Sequence, residues 1–221
     1  MDLKKINTFI FDMDGTIIDA EKLNISGYTE TIKNFFNIEI SHDDYQKYFS
    51  GTKTAKAFEG FLQSKNIDKY NTDVLVKYFR VIKRKKLIEE PDKVLTIFPY
   101  VKEFLQSLKG RKVILATSTI SEFTEIILKH FDIYQYFNTI LTAEDIKDGK
   151  PNPEIYLKAL EISKSEKETS VIFEDSKSGI EAALNSGIYC IGIHTKGLND
   201  NYVNTANEVI ESYQEVISRL I

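Results

Sequence analysis

Two acids separated by one residue, Asp12 and Asp14, close the apolar run from Ile6 to Phe11, and Gly15-Thr16 follow at once. Thr117 and Ser118 stand directly after the run Lys112 to Ala116, and Glu174-Asp175 directly after Ser170 to Phe173. Lys150 lies in the proline-bracketed stretch Asp148-Gly149-Lys150-Pro151-Asn152-Pro153. The set is four carboxylates, two hydroxyls and one ammonium. Crowded carboxylates repel unless a cation neutralises them. Ligation by oxygen alone, with no His or Cys in the set, fits Mg²⁺, which takes one or two carboxylates, several waters and a substrate phosphate. A lysine and hydroxyls nearby suit the remaining phosphate oxygens. The residue types therefore suggest metal-assisted phosphoryl transfer.

That chemistry requires the residues to meet. Short apolar runs bounded by turn residues read as buried strands. Six such runs are predicted, at 6–11, 112–116, 139–142, 170–173, 188–193 and 208–210. Between them helical spacing predicts helices starting at Pro99 and at 121–131, 154–162, 177–186 and 212–220. Strands alternating with helices imply an α/β fold, a Rossmann-like parallel sheet with helices on both faces. In such a sheet ligands bind beyond the carboxyl ends of the strands, so Asp12, Thr117 and Glu174 would share one edge.

Residues 20–90 break the alternation. Ile25, Tyr28, Ile32, Phe35 and Phe36 recur at helical spacing, and Ser41 opens a further helix. Thr72-Asp73 is expected to cap a long helix with Val74, Tyr78, Val81, Ile82 and Leu87 on its inner face. The basic run Arg80, Lys83, Arg84, Lys85 and Lys86 reads as its solvated face. The expected organisation is a core of 1–19 and 91–221 interrupted by an all-helical insert, 20–90.

The 221 residues carry a net charge of −4, which disfavours nucleic acid as a partner. The single cysteine, Cys190, lies in an apolar run, permits no intrachain disulfide and reads as a small buried hydrophobe. The N-terminus has no signal-peptide pattern, and no apolar stretch approaches the ~20 residues that span a bilayer. The expectation is a cytoplasmic protein that binds no membrane. His42, His130 and His194 are scattered without metal-ligand spacing.

Asp12-Met13-Asp14-Gly15-Thr16, Thr117, Lys150-Pro151 and Glu174-Asp175, in that order, resemble the four motifs of the haloacid dehalogenase superfamily of phosphatases. The resemblance spans nearly the whole chain. It is closest to the subgroup with a helical cap after the first motif, which includes phosphoglycolate phosphatase-like and beta-phosphoglucomutase-like enzymes. It implies that Asp12 is a nucleophile forming an aspartyl-phosphate and that Asp14 is general acid, then base. It implies Mg²⁺ held by Asp12, the Asp14 carbonyl and Asp175, with Glu174 assisting directly or through water. Thr117, Ser118 and Lys150 would bind the phosphoryl group. The insert would be a cap, with Asn24, Tyr28, Lys53 and Thr54 as candidate substrate contacts. The implied protein is a monomer acting on a small phosphorylated metabolite.

The mutases of the subgroup have a histidine where this sequence has Asn24 and an arginine after a cap glycine where it has Gly51-Thr52-Lys53. They also have a lysine after the second motif, where Ile120 stands here. These departures favour hydrolysis of a phosphomonoester, such as a sugar phosphate, over a sugar-phosphate mutase. The remaining alternative is a non-catalytic binding protein on the same fold.

Overall fold

The computed structural model describes residues 1–194 and 201–220. Along the chain, strands β1 (Thr8–Phe11) and β2 (Ile18–Asp19) precede helices α1 (Glu21–Phe36), α2 (His42–Asp44), α3 (Thr54–Ser64), α4 (Thr72–Glu89) and α5 (Pro91–Val94). Then come β3 (Thr96–Ile97), α6 (Val101–Ser107), β4 (Lys112–Ala116), α7 (Ser121–His130), β5 (Thr139–Leu141) and α8 (Glu154–Ser163). β6 (Ser170–Glu174), α9 (Lys177–Ser186), β7 (Tyr189–Ile193), β8 (Glu208–Ile210) and α10 (Tyr213–Ser218) complete the order. The chain divides into two compact units, one of Met1–Asp19 with Thr96–Ile221 and the other Ala20–Leu95. The second crossing falls after Leu95 rather than at 90, because α5 packs with α1 and α4. The antiparallel pair of β2 with β3 marks the two crossings and was not foreseen, since two residues a side leave no period to read.

The first unit is built on a six-stranded sheet in the order β5-β4-β1-β6-β7-β8, and every pairing in it is parallel. β1, made before either neighbour, lies between β4 and β6, with Phe11 opposite Leu115 on one side and Phe173 on the other. Parallel sheets are covered on both faces, which is why β1 and β6 are buried at every residue. The two-residue period sorts the side chains. Ile10 and Ile172 face one layer with Ile155, Ala159 and Leu160 of α8 and Ile180 and Ala183 of α9. Phe9, Phe11 and Phe173 face the other, against Phe104 of α6 and Tyr213 of α10. Phe11 stacks on Phe173 with centroids 4.9 Å apart, and Phe104 meets Tyr213 at 5.3 Å. Each such ring taken out of water contributes on the order of 1.5–3 kcal/mol.

The second unit is helical. Its core centres on Tyr28, whose ring lies 4.4 Å from Phe79, 4.5 Å from Phe49 and 5.3 Å from Phe58. α2 begins at a capping box formed by Ser41 and Asp44 and runs into a π-helical turn, Tyr45–Phe49. α4 departs from expectation. Its cap is Asn71, whose Oδ1 accepts from the Val74 amide at 3.2 Å. Its buried stripe is Leu75, Phe79, Ile82, Lys83 and Leu87, while Val74 and Val81 are exposed. Two apolar stripes lie side by side on this helix, and the bulkier, carrying Phe79, fills the space beside Tyr28. The basic run is therefore not one solvated face: Lys83 is buried, and Lys86 bridges Glu30 at 2.7 Å and Glu90 at 3.2 Å.

Candidate active site

The sheet order reverses between β1 and β6: after β1 the chain builds outward through β4 and β5, then returns beside β1 with β6. Such a switch point leaves a crevice at the carboxyl ends of the strands. Asp12 follows β1 there, and Glu174 and Asp175 end and follow β6. The Asp12 amide donates to the Phe173 carbonyl at 3.0 Å, which fixes the register of the two strand ends. Gly15 then turns the chain with φ +86°, and its amide donates to the Ile18 carbonyl at 2.7 Å. A Cβ on Gly15 would overlap the Asp175 carboxylate, so glycine is required there for both conformation and space.

Lys150 joins the strand ends. Its buried ammonium donates to Asp12 Oδ1 at 2.5 Å, to Glu174 Oε1 at 2.7 Å and to the Ala116 carbonyl at 3.1 Å. An ammonium has three protons, and all three have partners. Burial alone would lower this lysine, but the charges of Asp12 and Glu174 hold it protonated beyond the ordinary lysine range. The loop that delivers it has a cis Lys150–Pro151 peptide bond.

Glu174 is fully buried and accepts on both oxygens. Oε1 receives Lys150 and the Tyr156 hydroxyl at 2.7 Å. Oε2 receives the amides of Asp175 and Ser176, at 3.0 and 3.1 Å, and the Ser176 hydroxyl at 3.1 Å. Asp175 Oδ1 accepts from Thr16 Oγ1 at 2.8 Å, and the Thr16 carbonyl accepts from the Tyr213 hydroxyl at 3.2 Å. Asp14 is held separately: its Oδ2 accepts from Thr119 Oγ1 at 2.6 Å. Thr117, almost fully buried, accepts the Thr119 amide on its hydroxyl at 3.1 Å, while Ser118 is exposed.

Asp12, Glu174 and Asp175 each offer an oxygen within 4.8 Å of the others. One ammonium sits among three carboxylates, so negative charge is in excess. Burial, set against the pull of Lys150, pushes the Asp12 carboxyl up to about 7. Burial and the neighbouring charges of Glu174 and Asp12 raise Asp175 well above the usual carboxylate range. An oxygen-only donor set with uncompensated negative charge fits a hard divalent cation.

The structure thus brings together Asp12, Lys150, Glu174 and Asp175, with Asp14 and Thr117 joined through Thr119. The four insert residues belong to the other unit. There Asn24 Oδ1 accepts from Lys83 at 2.8 Å, Tyr28 is buried in the aromatic cluster, and Thr54 opens α3. Lys53 is exposed at the start of α3. Sequence reasoning missed three polar partners: Thr16, Thr119 and Tyr156. Thr16 and Thr119 lie within or beside the motif stretches, where their hydroxyls were a visible signal. Tyr156 carried none, since at helical spacing it reads as core.

A model of the family described as haloacid dehalogenase-like hydrolase matches residues 9–193. The chain is 31% identical, over 86% of its length and 86% of the relative's, to a phosphorylated carbohydrates phosphatase of Thermotoga maritima. It is 27% identical, over 86% of its length and 84% of the relative's, to the pyrophosphatase PpaX of Bacillus mycoides. In fold it is similar to the crystal structure of CbbY from Rhodobacter sphaeroides in complex with phosphate. That likeness has a TM-score of 0.85 at 20% identity and covers 97% of this chain and 99% of that one. Among the described residues, no helix is long and apolar enough to cross a membrane.

Proposed function

Because the chain belongs to the haloacid dehalogenase-like hydrolase family, we propose that it is a Mg²⁺-dependent phosphatase that hydrolyses a small phosphomonoester, such as a sugar phosphate, through an aspartyl-phosphate on Asp12. The observation that carries this reading is the position of Lys150, whose ammonium ties Asp12 to Glu174 across the switch point. It leaves a buried carboxylate oriented by a cation at the lip of a crevice, the environment a carboxylate nucleophile needs.

In the first step an Asp12 oxygen attacks phosphorus, the bond from phosphorus to the leaving oxygen breaks, and Asp14 gives that oxygen its proton. In the second step Asp14 takes a proton from water, whose oxygen attacks the phosphorus of the aspartyl-phosphate. Inorganic phosphate departs and Asp12 is restored. Thr117 and Ser118 hold the phosphoryl oxygens and Lys150, its three protons already bonded, sets its positive charge beside them, because this transfer depends on positioning and on neutralised charge. Asp12, Asp175 and the Asp14 carbonyl would hold the Mg²⁺. Glu174, already accepting on both oxygens, would contribute its charge and act through water. The bound cation supplies neutralisation of the phosphoryl oxygens.

The relative that acts on phosphorylated carbohydrates supports a sugar phosphate as the substrate class. Asn24, Tyr28, Lys53 and Thr54 are the proposed substrate contacts of the insert, and the proposed working form is a cytoplasmic monomer. Water rather than a sugar hydroxyl is the proposed acceptor, because Asn24 stands where the mutase pattern has histidine and binds Lys83 through its side chain.

The test is phosphate release from a panel of sugar phosphates, phosphoglycolate, nucleotides and pyrophosphate with Mg²⁺, in the wild type and in Asp12→Asn. The expected result is release by the wild type and loss of at least about a thousandfold in a folded Asp12→Asn. Undiminished turnover in Asp12→Asn would overturn the nucleophile. Conversion of beta-glucose 1-phosphate to glucose 6-phosphate without net phosphate release would reverse the choice of acceptor.

A further inference from the structure

Tyr156 is fully buried in the first turn of α8, within an apolar layer that includes Ile155, Ala159, Leu160 and Ile180. A phenylalanine would fill the same volume without a hydroxyl to satisfy, and a buried hydroxyl left unpaired is costly. The hydroxyl is paired, and its partner is at the strand edge. It donates to Glu174 Oε1 at 2.7 Å, the oxygen that also accepts from Lys150 at 2.7 Å. The ring of Tyr156 has its centroid 5.1 Å from the same ammonium, within cation–π reach. One side chain therefore touches Lys150 with its ring and the lysine's anionic anchor with its hydroxyl.

We infer that Tyr156 is a positioning residue for phosphoryl transfer: it fixes the Glu174 oxygen that anchors Lys150 and flanks the ammonium, so that Lys150 stays against Asp12. The inference rests on the roles of Lys150 and Asp12 proposed above. Lys150 divides three protons among Asp12, Glu174 and the Ala116 carbonyl. Glu174 Oε2 is committed to Asp175 and Ser176, so the carboxylate cannot turn to compensate a change at Oε1. Without the Tyr156 hydroxyl, Oε1 keeps Lys150 as its one side-chain donor and draws on it more strongly. The ammonium moves toward Glu174, and the 2.5 Å contact with Asp12 lengthens. Asp12 is the group that takes the phosphoryl, so the loss falls on kcat and leaves KM close to its original value.

The experiment compares wild type, Tyr156→Phe and Tyr156→Leu by steady-state kinetics and by NMR of protein labelled with ¹⁵N-lysine. The Lys150 ammonium signal is identified by its absence in Lys150→Arg, and thermal melting confirms that each variant folds. In the wild type this signal is expected to exchange slowly with water, because all three protons are bonded and buried. Tyr156→Phe, which keeps the ring, is expected to shift the signal and lower kcat about tenfold with KM within about twofold. Tyr156→Leu, which loses ring and hydroxyl, is expected to lower kcat further. A rapidly exchanging Lys150 signal in the wild type overturns the inference whether or not any variant folds. So does a folded Tyr156→Phe in which either the signal or kcat stays at the wild-type value. If the wild type hydrolyses none of the panel, the proposed function falls, and the ammonium signal alone decides whether Tyr156 positions Lys150.

Discussion

Thr119 donates its hydroxyl to Asp14 Oδ2 at 2.6 Å, while Asp12, two residues before Asp14, accepts from the Lys150 ammonium on its Oδ1 at 2.5 Å. One aspartate is held by a cation and the other by a neutral hydroxyl. An ammonium only donates, so it suits a group that must stay a carboxylate. A hydroxyl donates to a carboxylate and, turned round, accepts from a carboxylic acid. Thr119 can therefore keep Asp14 in place in both the protonated and the ionised form, as a group that gives and retrieves a proton requires.

The first prediction follows from this pair. Thr119→Val keeps the shape and removes the hydroxyl, so kcat is expected to fall about tenfold with KM nearly unchanged, and Thr119→Ser is expected to recover most of the loss. Steady-state kinetics on the best substrate of the panel measures both. A Thr119→Val enzyme as fast as wild type removes Thr119 from the reaction.

Chelation gives the second. Asp12, Glu174 and Asp175 crowd more negative charge than Lys150 offsets. EDTA is expected to abolish phosphate release and added Mg²⁺ to restore it. Because a ligand of the native state stabilises it by mass action, saturating Mg²⁺ is expected to raise the melting temperature by about 5–10 °C, at roughly a hundredfold excess over Kd. The shift should shrink in Asp175→Asn. A melting curve indifferent to Mg²⁺ in the wild type contradicts the divalent site.

Two glycines on helices give the third, with opposite signs. A Cβ on Gly179 in α9 would overlap the Glu174 carboxylate, which has no slack because both oxygens are bonded. Gly179→Ala is expected to cost about 3 kcal/mol or more and to depress activity with it. On α3 a Cβ at Gly60 would meet Tyr48 at an ordinary 3.7 Å, so Gly60→Ala is expected to stabilise by about 0.5–1 kcal/mol. Urea denaturation reads both values, and a stabilised Gly179→Ala would show that the Glu174 contacts are looser than described.

Cys190 supplies the fourth. It is fully buried on β7, and burial pushes its thiol far above the ordinary range. The native protein is expected to react with a thiol reagent such as DTNB at least about a hundredfold more slowly than the urea-unfolded chain, since only the thiolate reacts. Equal rates would place the thiol at the surface.

Much of this architecture was legible because local and global signals agreed. Lys112–Ala116, Lys177–Ser186 and Glu208–Ile210 have the bounds their apolar patterns implied. Asp12, Lys150, Glu174 and Asp175 converge because each lies at a strand end or in a rigid loop, and a parallel sheet sends all such ends to one edge. What stayed hidden depended on tertiary contact. Tyr156 has the spacing of a core residue, and nothing local shows that its hydroxyl meets Glu174. Lys83 stands in a basic run, yet it is buried, with its ammonium over the Phe79 ring and bonded to Asn24, a choice settled by packing between α1 and α4. The valines at 74 and 81 are as apolar as Leu75 and Phe79, so periodicity cannot say which stripe turns inward.

The central place of β1 also bears on how the protein is made. β1 leaves the ribosome well before both strands that flank it, which lie at residues 112–116 and 170–174. Throughout translation of the helical insert, an apolar strand ending in Asp12 has both backbone edges unmatched, and one stays unmatched until β6 emerges. Such edges invite pairing with other chains. The arrangement that sets Asp12 beside Glu174 thus makes the nascent chain dependent on rapid completion, and slowed synthesis between residues 116 and 170 is where aggregation would begin.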